Sequence, residues 1–541
     1  MKLLAACTQS ATPPGVGATQ QDWYEVIASD VVPGTSFLAI DTDTTSRREA
    51  WDAAYDLIAD DHVSWAGVEG VVKPGHPLSS HASGVTPCLP NSTWASQLMR
   101  QPEALKLLPV DPDQVVIGHP DTGWAVHYQL PRSSLDLTRA RNAFTGGTDA
   151  EDPVEPNDPF DGHGTCTSSL LVSGANDREP LHPGRPDPLI GYCRSDIVVP
   201  IRCASNVIQF STTALTWSIE YLTSIGVDII TISLGGLPSA ALQAAVRRAV
   251  ENNIIVVAAG GQSFPVTPYP AAYPECVAVA ASTLNDRPWK VTTASTAIDI
   301  SAPGHLVCVA DFIAPGRTQV TKAGSGTSYA TPAIAAAAAL WIAKWGRSTL
   351  SAKYKNAQPL QFVFKEVLQK TARIPRPLHP PQGEDATFVD FVIPLTSWRT
   401  DRYGAGIVDM EALLRAPLPA ATRRPAAARI SPADHDLAAL GHVLGVSPEI
   451  AAQVLGKAIT PPDDKRPVSV AETVDILLGT APDTLNAIRW QATEPQLGDA
   501  KSGFTGLPRP ASSDEAVASL AATLRPILDF KGSRSMRRYL A

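Results

Sequence analysis

The stretch IITISLGGLPSAALQAAVRRAVENNIIVVA, residues 229–258, changes its hydrophobic period twice, and those changes indicate the fold. It opens on an isoleucine-rich, strand-like run at 229–233 and passes through Gly235, Gly236 and Pro238. It then sets Leu242, Ala245, Val246, Ala249 and Val250 at helical spacing before a second apolar run at 254–258. Short apolar runs without alternation suit strands buried on both faces, and a helix between two of them is the crossover of a parallel sheet. Further runs at 114–118, 197–202 and 276–281 repeat the pattern through residues 110–416. The expected fold is α/β: a doubly wound, mostly parallel sheet with helices on both faces and functional loops at the carboxyl ends of its strands.

The flanks read differently. Residues 1–109 form an N-terminal segment that begins polar and turn-rich. Within it, FLAIDT (37–42) predicts a strand, 46–60 an amphipathic helix carrying Trp51, Ala54 and Tyr55, and 63–72 a second strand, together a small β-α-β unit. Residues 417–429 are rich in Pro, Ala and Arg and mark a linker. The remainder, 430–541, predicts a small helical C-terminal region with helices at 433–444 and 448–457, the second capped by Ser447 with Pro448 at its first position. The pair has a helix-turn-helix outline but no basic recognition face, which favours a packing or protein-partner module. Arg534, Arg537 and Arg538 read as a solvated end.

Composition bounds the partners. A net charge of -9 with no basic block gives no footprint for nucleic acid. The longest apolar run, 332–343, is shorter than the ~20 residues of a membrane helix. The opening MKLLAACTQS lacks the apolar core of an export signal, so the expected location is cytoplasmic. Seven cysteines show neither a CxxC pair nor metal-ligand spacing and are expected to be reduced and buried, with a Cys193–Cys203 bridge as the alternative.

Three short segments carry chemistry. GSGTSYATP (324–332) sets Ser328 among small residues at the start of an Ala-rich helix, with Pro332 expected in the first turn, where unpaired N–H groups face any developing anion. VVIGHPDTG (115–123) places Asp121 at the end of a strand, and DGHGT (161–165) places His163 between glycines at a helix start. A nucleophile, a base and a buried acid are what acyl transfer requires. His119 and His127 read as structural.

In this order, on this α/β pattern, the segments resemble the subtilisin-like serine peptidases, the subtilases. ITISLGG (230–236) is similar to the family's substrate-binding strand, which implies Ser233, Leu234 and Gly235 as substrate contacts. VVAAGG (256–261), YPAAYPECVAVAA (269–281), IDISAPG (298–304) and YGAGIVD (403–409) follow the family in order, so the resemblance covers about residues 110–415. It implies a subtilisin-like fold, a serine endopeptidase acting on peptides or proteins through Asp121, His163 and Ser328, and an acyl-enzyme intermediate. No cofactor is expected. Calcium, which many subtilases bind, is left open: Asp149, Glu151, Asp152, Glu155 and Asp158 lack calcium-loop spacing and read as a solvated acidic loop. One departure stands out. Where the family carries an oxyanion-binding asparagine, this chain has Gly261, which leaves the Ser328 N–H, Gln262 and Gly261 itself as oxyanion candidates. The competing expectation is a catalytically weak or inactive subtilase fold that binds peptides or partners. The N-terminal unit resembles a subtilase prosegment in pattern.

Overall fold

A computed structural model describes residues 2–8, 24–32, 35–42, 46–60, 62–69, 86–154, 162–174, 189, 191–193, 196–205, 207–209, 212–263, 266–313, 318–375, 398–422, 432–480, 484–485, 487–489 and 513–540. Glu155, Asp158 and most of the 73–90 connection lie outside them.

The central sheet has seven strands in the order β13-β12-β11-β9-β5-β7-β6. They are β5 (Val116–Asp121), β6 (Arg141–Asn142), β7 (Ile197–Arg202), β9 (Ile229–Ile232), β11 (Ile255–Ala259), β12 (Val277–Ser282) and β13 (Ile300–Pro303), and every neighbouring pair is parallel. The mostly apolar runs without alternation follow from covering both faces. Ile117, Ile229, Ile255, Val257 and Val279 join one core, while Ile230, Ile232, Val256, Ala258 and Ala280 join the other.

Of the helices, α1 is Arg47–Leu57, and α2 (Trp94–Leu98) and α3 (Gln101–Leu105) precede the sheet. The first sheet face carries α4 (His163–Val172), α7 (Thr327–Trp345) and, behind α7, α8 (Arg347–Tyr354) and α9 (Leu360–Thr371). The second face carries α5 (Thr213–Ser224) and α6 (Ala240–Glu251). Helices α10 (Thr400–Tyr403) and α11 (Met410–Arg415) close the domain, as Ser301 N donates to Gly406 O at 2.9 Å and Val408 N to Ser301 O at 3.0 Å. A hairpin of β14 (Val307–Ile313) and β15 (Thr318–Gly324) leads into α7.

The N-terminal unit departs from the expected β-α-β. It is a four-stranded antiparallel sheet, β2-β3-β1-β4, built from β1 (Lys2–Thr8), β2 (Tyr24–Val32), β3 (Thr35–Asp41) and β4 (Val63–Glu69), with α1 on it. The opening apolar patch is thus an interior strand, with Leu3, Ala5, Ala6 and Cys7 fully buried. A five-residue apolar run is too short to show a period, which is why it reads as a bare terminus.

The C-terminal region also holds more than the two expected helices. After α12 (Pro432–Leu444) and α13 (Pro448–Ala458) come α14 (Arg466–Leu478), α15 (Ser513–Lys531) and α16 (Arg534–Arg537). They share one continuous core with the N-terminal sheet, α5 and α6. Polar contacts reinforce the join. Asp475 forms an ion pair with Arg47 and accepts from Trp51 Nε1 at 2.8 Å, Asp436 accepts from Trp65 Nε1, and Tyr55 OH meets Ser469 Oγ at 2.8 Å. Arg534, Arg537 and Arg538 are exposed, as expected, while the backbone between them is docked: Ser535 N donates to Asp52 Oδ1 at 2.8 Å, and Met536 is fully buried.

Cys88 is bridged to Cys308, with Cα atoms 5.2 Å apart, so the expectation of uniformly reduced thiols fails. Cys193 and Cys203 are both free and buried. Among the described residues no single helix is long and apolar enough to cross a membrane.

Candidate active site

Asp121 ends β5 and His163 begins α4, so the candidate acid and the candidate base come from adjacent elements at the carboxyl edge of the sheet. His163 Nδ1 donates to Asp121 Oδ1 at 2.8 Å, and Thr122 N donates to the same oxygen at 2.7 Å. Asp121 is fully buried. Burial alone would raise its carboxyl, but His163, His119 and the Thr122 N–H together hold it below the ordinary carboxylate range.

The two loops meet at glycines. A Cβ on Gly164 would lie 2.0 Å from Gly123 O, so the backbone contact that sets His163 beside Asp121 tolerates no side chain there. Asp152, expected on a solvated acidic loop, is instead 1% exposed and ties the loops together. It accepts from Thr122 Oγ1, from Gly162 N at 3.0 Å and from Val154 N at 2.9 Å, while Thr122 Oγ1 accepts from Gly164 N at 3.0 Å. Burial pushes its carboxyl upward. Asp149 and Glu151 lie beside it, and the described residues hold no cluster of three or more metal-ligating side chains. His127 fastens the following loop to the hairpin, its Nε2 lying 3.1 Å from both Asp311 O and Val320 O.

Ser328 lies in the first turn of α7, which starts at Thr327 with Gly326 as N-cap. Pro332 is therefore inside the helix and not in its first turn. Because proline has no N–H to return to the carbonyl four residues back, Ser328 O is left without its helical donor. Ser233 Oγ supplies one at 2.9 Å, and Ser328 Oγ donates in return to Ser233 O at 3.0 Å. The nucleophile candidate is thereby joined to the end of β9, and the His163 ring lies 6.2 Å from that of the adjacent Tyr329. Meeting His163 Nε2 requires the Ser328 hydroxyl to turn away from Ser233 O, a rearrangement common in substrate-free sites.

Leu234 is buried, and the two-residue strand β10 (Gly235–Gly236) runs parallel to β8 (Ile208–Gln209), with Gly235 N donating to Val207 O at 3.1 Å. Gly236 exchanges backbone bonds with Tyr269 at 2.9 and 3.1 Å. Both edges of the expected substrate strand are thus paired in this state.

The structure also accounts for Gly261. Its φ is +89°, and a Cβ would lie 2.6 Å from Pro268 Cδ, so an asparagine does not fit this backbone. Gln262 takes a different place: its Oε1 accepts from Thr327 N at 2.9 Å and caps α7 from outside. Its amide nitrogen then lies beside Gly326, 3.6 Å from where a Cβ there would sit. Pro268 belongs to a segment held from behind by α12, through His442 Nε2 donating to Thr267 O at 3.1 Å and His435 Nε2 at 3.2 Å from Tyr273 OH.

Sequence comparison agrees with this geometry. The subtilase family profile matches residues 112–402. Subtilisin from Bacillus pumilus is 39% identical over 231 residues, covering 41% of this chain and 78% of the relative. Thermitase from Thermoactinomyces vulgaris is 31% identical over 205 residues, covering 38% and 68% respectively. Among solved structures, a protease from Pseudoalteromonas arctica aligns over 61% of this chain and 98% of its own at 22% identity and a TM-score of 0.44. MycP1 with its N-terminal propeptide removed aligns over 60% and 98% at 18% identity and a TM-score of 0.43. The family profile and the sequence relatives place the chain in the subtilase family of serine peptidases.

Proposed function

We propose that the chain is an endopeptidase in which Ser328 is the nucleophile, His163 the general base and acid, and Asp121 the group that orients and stabilises the imidazole. The observation that carries this is the 2.8 Å bond from His163 Nδ1 to the buried Asp121, which leaves Nε2 as the proton acceptor. Ser328 Oγ attacks the peptide carbonyl carbon as its proton passes to His163 Nε2. The tetrahedral adduct collapses as Nε2 returns that proton to the leaving amine, and water then hydrolyses the acyl-serine by the same base. The oxyanion is taken by the Ser328 N–H and the Gln262 amide, and Gly235 and Ser233 receive the substrate backbone once β10 is released from β8. A fluorophosphonate probe tests the reading: labelling lost in Ser328→Ala and strongly slowed in His163→Ala is expected, and no labelling of folded wild type refutes it.

A second reading, a catalytically weak subtilase fold that holds peptides, is favoured by Gly261 alone; slow acylation with tight peptide binding would mark it. The N-terminal unit packs through β2 against α5 and α6, which supports a prosegment-like role for it. Release of an N-terminal fragment by wild type but not by Ser328→Ala checks that. The Cys88–Cys308 bridge favours an oxidising compartment over the cytoplasm.

A further inference from the structure

Asp121 Oδ2, the second oxygen of the triad carboxylate, is buried without a hydrogen-bond partner. Two residues earlier on the same strand, His119 is fully buried, with Nε2 at 3.6 Å from that oxygen. Its surroundings fix its tautomer. Thr167 Oγ1 has one hydrogen, which it directs to helix carbonyls, His163 O at 3.0 Å and Gly164 O at 3.3 Å. Toward His119 Nε2, at 3.0 Å, the hydroxyl can therefore only accept, and Nε2 must carry a proton. His119 Nδ1, 3.1 Å from Ser168 Oγ, then accepts from that hydroxyl. A neutral imidazole is thus held with its N–H edge between Thr167 and the open side of Asp121. Thr167 and Ser168 lie on α4, the helix that begins with His163, so one network spans the strand of the acid and the helix of the base.

We infer that His119 is a positioning residue of the triad: its Nε2–H edge stabilises the Asp121 carboxylate from the side opposite His163 and fixes the orientation in which Asp121 receives the His163 N–H. The charged or titratable groups facing it are Asp121 on its own strand and His163 on α4; Cys203 beyond β7 and Asp152 act on Asp121 in turn. Burial, the largest influence, disfavours a charge on His119; Asp121 favours one and His163 opposes it, and the net direction is downward, consistent with a neutral donor.

The test compares His119→Leu, which fills the space without a donor, with His119→Gln, whose side-chain amide can reach the Nε2 position. An N–H dipole 3.6 Å from a buried carboxylate oxygen acts on it electrostatically, beyond hydrogen-bond range, so His119→Leu should lower kcat by about tenfold with KM unchanged. With less of the Asp121 charge neutralised, His163 is easier to protonate, so the acid limb of kcat/KM moves upward. His119→Gln should restore most of both. The inference rests on the peptidase reading, but the His163 imidazole titration followed by NMR reports the same shift without turnover. An inactive, unlabelled wild type would therefore refute only the peptidase reading. Lowered thermal stability in His119→Leu with an unmoved His163 titration, or a Gln variant that behaves like Leu, would overturn the role of His119.

Discussion

Replacing Gln262 separates two jobs that its side chain combines. Its Oε1 caps α7 through Thr327 N at 2.9 Å, and its amide nitrogen lies beside Gly326. Gln262→Glu keeps an acceptor for Thr327 N and exchanges the amide donor for an anionic oxygen; Gln262→Ala removes both. If the amide is the second oxyanion donor, acylation slows by about 10²–10³-fold in both variants, the range for losing one such donor. Stability distinguishes them, because only the alanine variant loses the cap, at about 1 kcal/mol. Burst-phase kinetics on a chromogenic peptide ester measure acylation, and thermal melting measures the cap. A glutamate variant that acylates within about threefold of wild type would refute the reasoning, since no smaller effect fits a lost donor. Gly261→Asn should not rescue either variant. Its φ of +89° and the Pro268 ring 2.6 Å from the new Cβ force the backbone to move before the amide can be presented.

Two further predictions concern the join between the chain ends. Asp475→Ala removes the carboxylate that pairs with Arg47 and accepts from the buried Trp51 indole N–H, and should destabilise the N-terminal unit by about 1–3 kcal/mol, read as faster proteolysis of that unit; unchanged protection would contradict this. Glu472 is buried, and burial pushes its carboxyl from 4.5 to about 7, against donors from Ser533 and Tyr55. A raised carboxyl keeps its proton longer in the folded state, so its contribution is complete below pH 4.5 and is lost as the pH rises to about 7, a change on the order of 3 kcal/mol. Glu472→Gln should flatten the pH dependence of melting across that window, and an unchanged slope would exclude Glu472 as its source.

Much of the catalytic domain was legible because its signals are local and redundant. Strand runs covered on both faces show no alternation, Leu242 to Val250 shows a clear helical period, and Asp121, His163 and Ser328 each sit within two residues of a glycine, of which Gly123 and Gly164 are demanded by close backbone approach. What escaped depends on distant residues. β1 is interior only because β3 and β4 flank it, and α14 to α16 are recognisable mainly by the N-terminal surface they cover. Asp152 looked like surface charge until Thr122 and Gly162 converged on it from both sides. Pro332 was misplaced for a related reason. Without Ser233 to satisfy Ser328 O, a proline one turn into a helix argues for a later start.

Pro268 is wedged where a Cβ of Gly235 or of Gly261 would otherwise be, at 2.7 and 2.6 Å, and the flanking residues Thr267 and Tyr273 are gripped by His442 and His435 of α12. The proposed substrate strand and the proposed oxyanion corner therefore share one strut, whose far end is the C-terminal region. Binding free energies linked through such a strut are reciprocal: whatever factor a peptide in the cleft gains or loses when α12 shifts, a ligand that shifts α12 gains or loses when the cleft is filled. The C-terminal helices are in this sense a thermodynamic handle on the cleft, and a chain truncated before residue 432 would be a differently tuned protein, not the same peptidase without its tail.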